Sequence, residues 1–247
     1  MAINWIESEI IEHIRWTEVL ASLKFKGDVL PYTAGQFTKV GLKIDGELIS
    51  RPYSYVSSPD EDFLEIIYVN VPDGVLTPKL HDLKVGDKLF TMDKASGFFV
   101  MDEVPDGKNL WMLATGTGLG VFISLLKTSA PWERFDNIIL VHGVRNHNEL
   151  AYQEQISKFK EGNPSKFNYI QTVTREVKDN CLNLRIPAAI ESKKLEELSG
   201  LDITMDSQFM ICGNPDMIND TVKLLGKKGL ERNRRSKPGN ITLEKYW

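Results

Sequence analysis

The stretch Leu110-Trp111-Met112-Leu113-Ala114-Thr115-Gly116-Thr117-Gly118-Leu119-Gly120 decides the fold of the second half of this chain. A short, uncharged apolar run that ends at a glycine-rich turn is typical of a buried strand in a parallel sheet. The glycines allow a tight turn, and the apolar residues beyond them continue as the start of a helix. We therefore predict a strand over 110–114 and a helix over 119–128.

The uncharged stretch 109–126 also approaches the length of a membrane span. Its three internal glycines favour the strand, turn and helix instead, so we expect no membrane association. At the N-terminus, Glu7, Glu9 and Glu12 interrupt the chain before an apolar core of signal-peptide length develops. We expect a cytoplasmic protein.

Downstream of Val104-Pro105-Asp106-Gly107, strand patterns alternate with helical patterns, as in a parallel α/β sheet. The further predicted strands are 137–144, 167–173 and 207–211, and the predicted helices are 149–160, 186–192 and 215–228. In such a sheet the carboxyl ends of the strands share one edge, where ligands bind. We place the domain boundary here, with an α/β domain over 105–247.

Residues 1–104 show short β-like runs separated by turn signals, which predicts an antiparallel domain. The predicted strands are 10–16, 20–26, 36–44, 48–57, 64–71 and 88–92. Asp45-Gly46 is a strong hairpin signal because both residues tolerate positive φ. One helix is predicted over 76–83, with Thr77 as N-cap and Pro78 in the first turn. Six strands of this length can close into a small barrel.

The composition bounds the function. With 247 residues, a net charge of −4 and a pI near 5.7, the chain is globular and not a general nucleic-acid binder. Cys181 and Cys212 are too few for a disulfide framework or a four-thiolate iron–sulfur cluster. The four histidines lack metal-ligand spacing, so we predict no bound metal; they are His13, His81, His142 and His147.

The segment Arg51-Pro52-Tyr53-Ser54-Tyr55-Val56-Ser57-Ser58-Pro59 combines an arginine, two rings and three hydroxyls. Because side chains alternate along a strand, one face could offer rings to a planar ligand and the other a hydroxyl. Arg51 could bind a phosphate, and a flavin dinucleotide requires all three contacts. An ordinary sheet strand has a similar composition, and that alternative stays open.

Thr115-Gly116-Thr117-Gly118-Leu119-Gly120 places backbone amides at a helix start, where a pyrophosphate can bind. The spacing is not that of the usual dinucleotide fingerprint, and a structural turn is the alternative. Arg145, Arg175 and Arg185 follow strands or precede a helix at the carboxyl edge. Their guanidinium groups suit the adenosine 2′-phosphate of NADP, although each could be an ordinary surface residue.

Three further features stand near the C-terminus. Cys212-Gly213-Asn214-Pro215 follows a predicted strand, and the alternative for this thiol is a buried, inert cysteine. The chain ends in Glu244-Lys245-Tyr246-Trp247, whose rings could stack on a planar group or cap a core. A basic cluster is either a solvated surface or a docking site for an acidic partner; its members are Lys227, Lys228, Arg232, Arg234, Arg235 and Lys237.

Taken together with Val141-His142-Gly143-Val144-Arg145 and Thr174-Arg175, these motifs resemble the bacterial ferredoxin/flavodoxin–NADP reductase family over essentially the whole chain. The resemblance implies a β barrel plus α/β fold. Its N-terminal part would be a six-stranded antiparallel FAD-binding barrel, and its C-terminal part a parallel-sheet NADP-binding domain whose aromatic tail returns to the FAD.

The resemblance also implies roles for matched residues. Arg51 would bind the FAD pyrophosphate, Tyr53 would stack on the flavin ring, Ser54 would act at flavin N5, and Trp247 would stack on the FAD. The remaining FAD-binding residues would be Pro52, Ile67, Tyr68, Val69, Asn70, Val75, Leu76, Thr77 and Thr117. The NADP-binding residues would be Gly116, Gly118, Val144, Arg145, Thr174, Arg175, Arg185, Gly213, Asn214 and Asp216. Cys212 and Glu244, with Ser54, would form the catalytic set.

The implied activity is reversible hydride transfer between NADP(H) and FAD, coupled to one-electron exchange with ferredoxin or flavodoxin. We expect a monomer. A flavin reductase or related NAD(P)H-dependent small-molecule reductase is the nearest alternative. An electron-relay subunit of a larger complex is another, but relatives of that kind carry a cysteine-rich segment that is missing here. A flavin-binding module without a nicotinamide site is the third.

Overall fold

The computed structural model describes residues 4–245 and divides the chain into two compact units, the first ending at Val100 and the second beginning at Met101. The sequence places this boundary slightly later, between residues 104 and 105. The short 3₁₀ turn Met101–Glu103 lies between the two positions.

The first unit is a six-stranded antiparallel sheet, as predicted. Its strands are β1 (Trp5–Arg15), β2 (Leu20–Lys26), β3 (Phe37–Ile44), β4 (Glu47–Ser54), β5 (Leu64–Val69) and β6 (Lys88–Met92). They lie in the order β4-β3-β6-β1-β2-β5. Tyr55, which follows β4, forms an antiparallel bridge with Ile66 of β5. The two edge strands therefore meet, and the sheet curls around its apolar core.

β1 begins earlier than predicted, because its first residues pair with β6 from Trp5–Met92 to Glu9–Lys88. The register of β1 against β2 shifts between Ile10 and Glu12. Such a bulge increases the local twist, which lets one long strand serve two neighbours in a curved sheet. Glu7, Glu9 and Glu12, which argue against a signal peptide, are exposed positions of this strand.

The second unit is a parallel sheet, as predicted, but it has six strands where the sequence predicted four, in the order β10-β9-β8-β7-β11-β12. Its strands are β7 (Asn109–Thr115), β8 (Asn137–Val144), β9 (Phe167–Val173), β10 (Cys181–Leu182), β11 (Ser207–Gly213) and β12 (Ile241–Lys245). In the centre, the Trp111 and Phe209 rings stack with centroids 6.0 Å apart. All strands point the same way, so their carboxyl ends form one edge.

Helices flank this sheet: α2 (Leu119–Leu126), α3 (Ala130–Arg134), α4 (Gln153–Gly162), α5 (Ile186–Glu191), α6 (Lys194–Ser199) and α7 (Pro215–Lys227). Helix α1 (Thr77–Asp82) belongs to the first unit. α4 begins later than the predicted residue 149, after a left-handed Tyr152, because Glu149 bonds to the backbone of Arg145 instead of entering the helix.

Between residues 4 and 245, no helix combines the length and apolar composition needed to cross a membrane. The uncharged stretch after Asn109 forms β7, the glycine turn and α2, as the internal glycines indicate. Within that same part of the chain, no three or more His, Cys, Asp or Glu side chains are grouped to bind a metal ion.

Candidate functional site

The first candidate site lies on β4 of the antiparallel sheet. Arg51 and Pro52 are exposed, Tyr53 is half-buried, and Ser54 at the end of the strand is buried. Arg51 donates from Nη1 to the Ser50 carbonyl at 2.7 Å. β4 is an edge strand that pairs with β3, with Tyr53 opposite Thr38. The segment thus presents a cation, a ring and a hydroxyl within four consecutive residues.

Burial raises the pKa of Tyr53 to about 12, while the nearby Arg51 charge acts in the opposite direction. The phenol is therefore neutral at physiological pH and suited to stacking. Tyr55 is fully buried, and its ring lies 4.4 Å from the Tyr32 ring between centroids. Tyr55 and Val56 pack the interior of the sheet, which leaves Tyr53 as the aromatic residue available for a planar ligand.

The residues predicted to line FAD on β5 differ in exposure. Ile67 and Tyr68 are buried, and Val69 is half-buried. The backbone N–H of Asn70 donates to the Val19 carbonyl at 2.6 Å, whereas its buried side-chain Oδ1 accepts no hydrogen bond within the described chain. A buried acceptor of this kind is costly unless a ligand or water donates to it. The Asn70 side chain therefore fits a site in which a polar cofactor donates a hydrogen bond to it.

At the start of α1, the predicted N-cap is wrong. Leu76 is the N-cap residue and Thr77 lies inside the first turn. The Thr77 hydroxyl is occupied elsewhere, because it accepts a hydrogen bond from the Val71 N–H at 2.9 Å. This bond closes the loop 71–77, where Val75 is 59% exposed and Leu76 is buried. Thr77 thus fixes the loop that leads into α1.

The second candidate site lies at the carboxyl edge of the parallel sheet, where β7 and β11 end. Gly116 has a φ of +54° and open space at its Cβ position. A Cβ on Gly118 would lie 2.6 Å from the Cys212 carbonyl oxygen, and one on Gly213 would lie 2.2 Å from Thr115 Oγ1. The Asn214 N–H donates to Thr115 Oγ1 at 2.8 Å. At Gly118 and Gly213 the two loops pack too closely to admit a side chain.

The loop 116–118 is a 3₁₀ turn that runs directly into α2. Thr117 is buried within it. Below the loop, His142 of β8 is fully buried and its Nε2 lies 3.1 Å from the Gly116 carbonyl oxygen. Burial lowers the pKa of His142 to about 4, against the opposing effects of the Gly116 bond and of Glu149. His142 is a neutral structural support of the loop.

Two of the three predicted arginines are joined through their backbones. The Arg175 N–H donates to the Arg145 carbonyl at 2.9 Å, and the Thr174 N–H donates to the Val144 carbonyl at 3.2 Å. Arg145 and Arg175 are both exposed, whereas Val144 is buried. The loops after β8 and β9 therefore bring two cationic residues together at the carboxyl edge.

Arg185 precedes the first turn of α5, and its neighbour Ile186 is buried. The Ile186 Cδ1 lies 3.3 Å from the position that a Cβ on Gly143 would occupy. The start of α5 thus packs against the end of β8, close in sequence to Arg145. Arg185 itself is exposed, and the contact of Ile186 with Gly143 puts the start of α5 near the carboxyl end of β8, the strand that Arg145 follows.

Two carboxylates in these loops were not among the predicted site residues. Glu149 accepts hydrogen bonds from the Arg145 N–H and Nε, both at 3.2 Å. Glu176 accepts a bond from the His147 N–H at 2.5 Å. The loops border an open depression of about 440 Å³ lined by Asn146, His147, Asn148, Glu176 and Lys178. The i, i+4 spacing of Arg145 and Glu149 is the sequence signal for this ion pair. It was missed because the predicted helix begins at residue 149.

Cys212 and Glu244 lie beside each other on adjacent strands, since they are register partners in the β11–β12 pair. Cys212 is fully buried and Glu244 is half-buried. The sequence did not predict β12. The structure shows that Glu244 belongs to this strand and not to an irregular tail. Asn214 caps α7 by accepting from the Asp216 and Met217 N–H groups. Asp216 is exposed in the first turn of that helix.

The predicted FAD contact Trp247 lies outside the described residues, as does Tyr246. In the basic cluster, several cations form ion pairs. Lys228 lies 3.5 Å from Glu196, Arg235 lies 2.5 Å from Glu103, and Lys237 pairs with Glu231. The cluster is therefore less positive than its sequence suggests.

Comparison with known proteins gives consistent matches. Residues 10–93 match the oxidoreductase FAD-binding domain family, and residues 112–223 match the oxidoreductase NAD-binding domain family. The flavodoxin/ferredoxin–NADP reductase of Shigella flexneri is 44% identical over 246 residues, which cover 99% of each chain. The ferredoxin–NADP reductase of Azotobacter vinelandii is 38% identical and covers 93% of each chain.

Among solved structures, a ferredoxin NADP⁺ reductase from Neisseria gonorrhoeae with bound FAD and NADP superimposes with a TM-score of 0.92. It is 31% identical to this chain, and the match covers 98% of both proteins. Sequence and structure thus agree over almost the whole length.

Proposed function

The chain belongs to the flavodoxin/ferredoxin–NADP reductase family, and we propose that it transfers a hydride between NADP(H) and FAD and exchanges single electrons with a ferredoxin or flavodoxin. Nicotinamide exchanges two electrons as a hydride, whereas an iron–sulfur protein accepts one electron at a time, and a bound flavin supplies both kinds of chemistry. The protein binds and orients the reactants and protects them from water.

The antiparallel unit would bind the FAD. Arg51 is exposed at one end of the segment and would pair with the pyrophosphate, because a guanidinium forms strong charge-assisted bonds to phosphate oxygens. The neutral, half-buried Tyr53 ring would stack on the flavin. Ser54 would offer a hydroxyl from a buried position, and the unpaired Asn70 Oδ1 would accept a hydrogen bond from the cofactor.

Pro52, Ile67, Tyr68 and Val69 would line the same site, together with the loop formed by Val75, Leu76 and Thr77. Thr117 would contact the flavin from the glycine turn, and Trp247 would stack on the FAD.

The parallel unit would bind NADP at the carboxyl edge. The Gly116–Gly118 turn presents backbone amides where β7 ends, and the open Gly116 leaves room for a phosphate group. Val144, Thr174, Gly213, Asn214 and Asp216 would complete the dinucleotide site. Cys212 and Glu244, adjacent on β11 and β12, would lie near the nicotinamide. A buried thiol there limits the access of water to the reacting ring.

The observation that carries the NADP assignment is the pair Arg145 and Arg175, joined by a backbone hydrogen bond at the carboxyl edge. With Arg185 nearby, they provide planar donors suited to a 2′-phosphate. NADH lacks this phosphate, so the arginines would discriminate between the two nucleotides.

We expect the variant Arg145→Ala with Arg175→Ala to raise the KM for NADPH by about 100-fold or more, since a charge-assisted hydrogen bond contributes about 1.5–3 kcal/mol. The KM for NADH should change little. Lys158→Ala, which removes an exposed cation from α4, is the matched control. Equal changes for NADPH and NADH would remove the NADP assignment.

The electron partner would be a ferredoxin, a flavodoxin or both, and the basic cluster 227–237 is a candidate docking surface. Cations on a docking surface accelerate association with an acidic partner, and salt weakens this effect. We further propose that the protein acts as a monomer in the cytoplasm. Neither Cys181 nor Cys212 forms a disulfide, which is compatible with a reducing compartment.

A further inference from the structure

Glu149 contacts the proposed 2′-phosphate site at three points. Its carboxylate accepts from the Arg145 N–H at 3.2 Å, from Arg145 Nε at 3.2 Å, and from Asn146 Nδ2 at 3.2 Å. The Glu149 side chain is only 14% exposed, whereas that of Arg145 is 53% exposed. A partly buried carboxylate thus holds both the backbone and the side chain of an arginine whose outer end faces solvent.

The contact fixes how the Arg145 guanidinium is presented. Its hydrogen bonds to Glu149 are made by Nε, at 3.2 and 3.5 Å from the two carboxylate oxygens. The terminal nitrogens Nη1 and Nη2 donate to no other side chain among residues 4–245. These two nitrogens form the edge of the planar fork that binds a phosphate bidentately. Glu149 therefore orients the arginine and leaves its phosphate-binding edge available.

Hydrogen bonds with the loop after β9 hold the backbone around Arg145 in place. Glu176, next to Arg175, accepts from the His147 N–H, and the Arg175 N–H donates to the Arg145 carbonyl. The Asn183 amide donates to the carbonyls of Val173 and Glu176 at 2.8 and 2.9 Å. The backbone on both sides of Arg145 is thus fixed, and the remaining freedom lies in its side chain, which Glu149 restrains.

We propose that Glu149 is a positioning residue that strengthens the selection of NADPH over NADH by holding Arg145 ready for the 2′-phosphate. This inference rests on the proposed function. An unpaired carboxylate near a phosphate would weaken binding by repulsion. Here its charge is already paired with the guanidinium, and restraining a flexible arginine before binding reduces the entropy lost on binding.

The test measures binding directly, by titration calorimetry of the full-length, flavin-loaded protein with adenosine 2′,5′-bisphosphate and with 5′-AMP. The Kd for 5′-AMP divided by the Kd for the bisphosphate gives a ratio that reports the contribution of the 2′-phosphate to binding. The variants are Glu149→Ala, Glu149→Gln, Arg145→Ala and the double variant of Glu149→Ala with Arg145→Ala. Glu161→Ala, which removes an exposed carboxylate from α4, is the matched control.

We expect Glu149→Ala to reduce this ratio by about three- to tenfold, the order of magnitude of the cost of ordering one flexible side chain on binding. Glu149→Gln keeps an acceptor for Nε, so it should reduce the ratio less. In the Arg145→Ala background, Glu149→Ala should have no further effect, while Glu161→Ala should behave as wild type. The Gln variant carries the comparison alone if the Ala variant does not fold.

A ratio equal to or above that of the wild type in the Glu149 variants would overturn the proposal. It would mean that Glu149 has no effect on binding of the 2′-phosphate or weakens it by charge repulsion. An equal loss from Glu149→Ala with and without Arg145 would also overturn it. The proposed function fails differently: Arg145→Ala would then leave the ratio unchanged. If Arg145→Ala lowers the ratio towards one but the Glu149 variants leave it at the wild-type value, only the role of Glu149 is refuted.

Discussion

Protonation of His142 should destabilise the protein in mild acid. The ring is 1% exposed, and its Nε2–H donates to the Gly116 carbonyl. That bond requires the proton on Nε2, which leaves Nδ1 as a buried nitrogen without a partner among the described residues. Protonation of Nδ1 would create a buried, charged ring with an unpaired donor. This is the physical reason that the pKa of His142 falls to about 4.

The sign and size of the effect follow from linkage. Because the folded pKa lies below the ordinary 6.5, the neutral ring contributes its full stability above pH 6.5. This contribution is lost as the pH falls from 6.5 towards 4, where the folded protein binds the proton. Each pKa unit corresponds to about 1.4 kcal/mol, so the full loss is about 3 kcal/mol, of which about 2 kcal/mol is lost by about pH 5.

Urea unfolding of wild type and His142→Gln between about pH 7.5 and about pH 5 measures this loss, with the difference between them isolating the histidine. Glutamine can still donate to Gly116 but does not titrate in this range. His147→Gln, which removes an exposed histidine of the same unit, is the control and should retain the wild-type pH dependence. Parallel curves for wild type and His142→Gln would refute the reasoning.

Ser54→Ala should slow flavin reduction by NADPH about tenfold or more while FAD stays bound, and Tyr53→Ala should raise the Kd for FAD about tenfold. Stopped-flow reduction and flavin release measure these effects, and an unchanged reduction rate would remove the proposed role of Ser54. Gly118→Ala should lower the free energy of unfolding by about 1–3 kcal/mol, because its Cβ meets the Cys212 carbonyl at 2.6 Å. Gly226→Ala, with open space in α7, should be neutral or stabilising by up to about 1 kcal/mol; similar losses in both would contradict this packing.

Both sheets could be predicted because their strands carry strong local signals. β7 is a continuous apolar run that ends at glycines, and Asp45-Gly46 joins β3 to β4 with Asp45 at a φ of 51°. β12 was missed because its stability comes from pairing with β11, which is distant in sequence. Its five residues show no helical or strand pattern long enough to be identified alone.

In the candidate site, too, some features could be predicted from the sequence and others could not. Arg145 and Arg175 could be placed at the carboxyl edge from the strand pattern, because topology alone decides which loops share that edge. The partner of Arg145 was missed because Glu149 was assigned to a helix that in fact begins at Gln153. Thr77 likewise has the residue type and position of an N-cap, but its hydroxyl bonds to Val71. A side-chain bond within a loop overrode local propensity in both cases.

The proposed electron transfer is tested most directly by mixing the purified flavoprotein with NADPH under anaerobic conditions in a stopped-flow instrument. Oxidised ferredoxin or flavodoxin is then added at several salt concentrations. We predict that NADPH bleaches the flavin absorbance much faster than NADH, and that the partner restores it by accepting single electrons more slowly at high salt. A protein that takes up no flavin, is reduced equally well by NADH, or passes no electrons to either partner would contradict the proposed function.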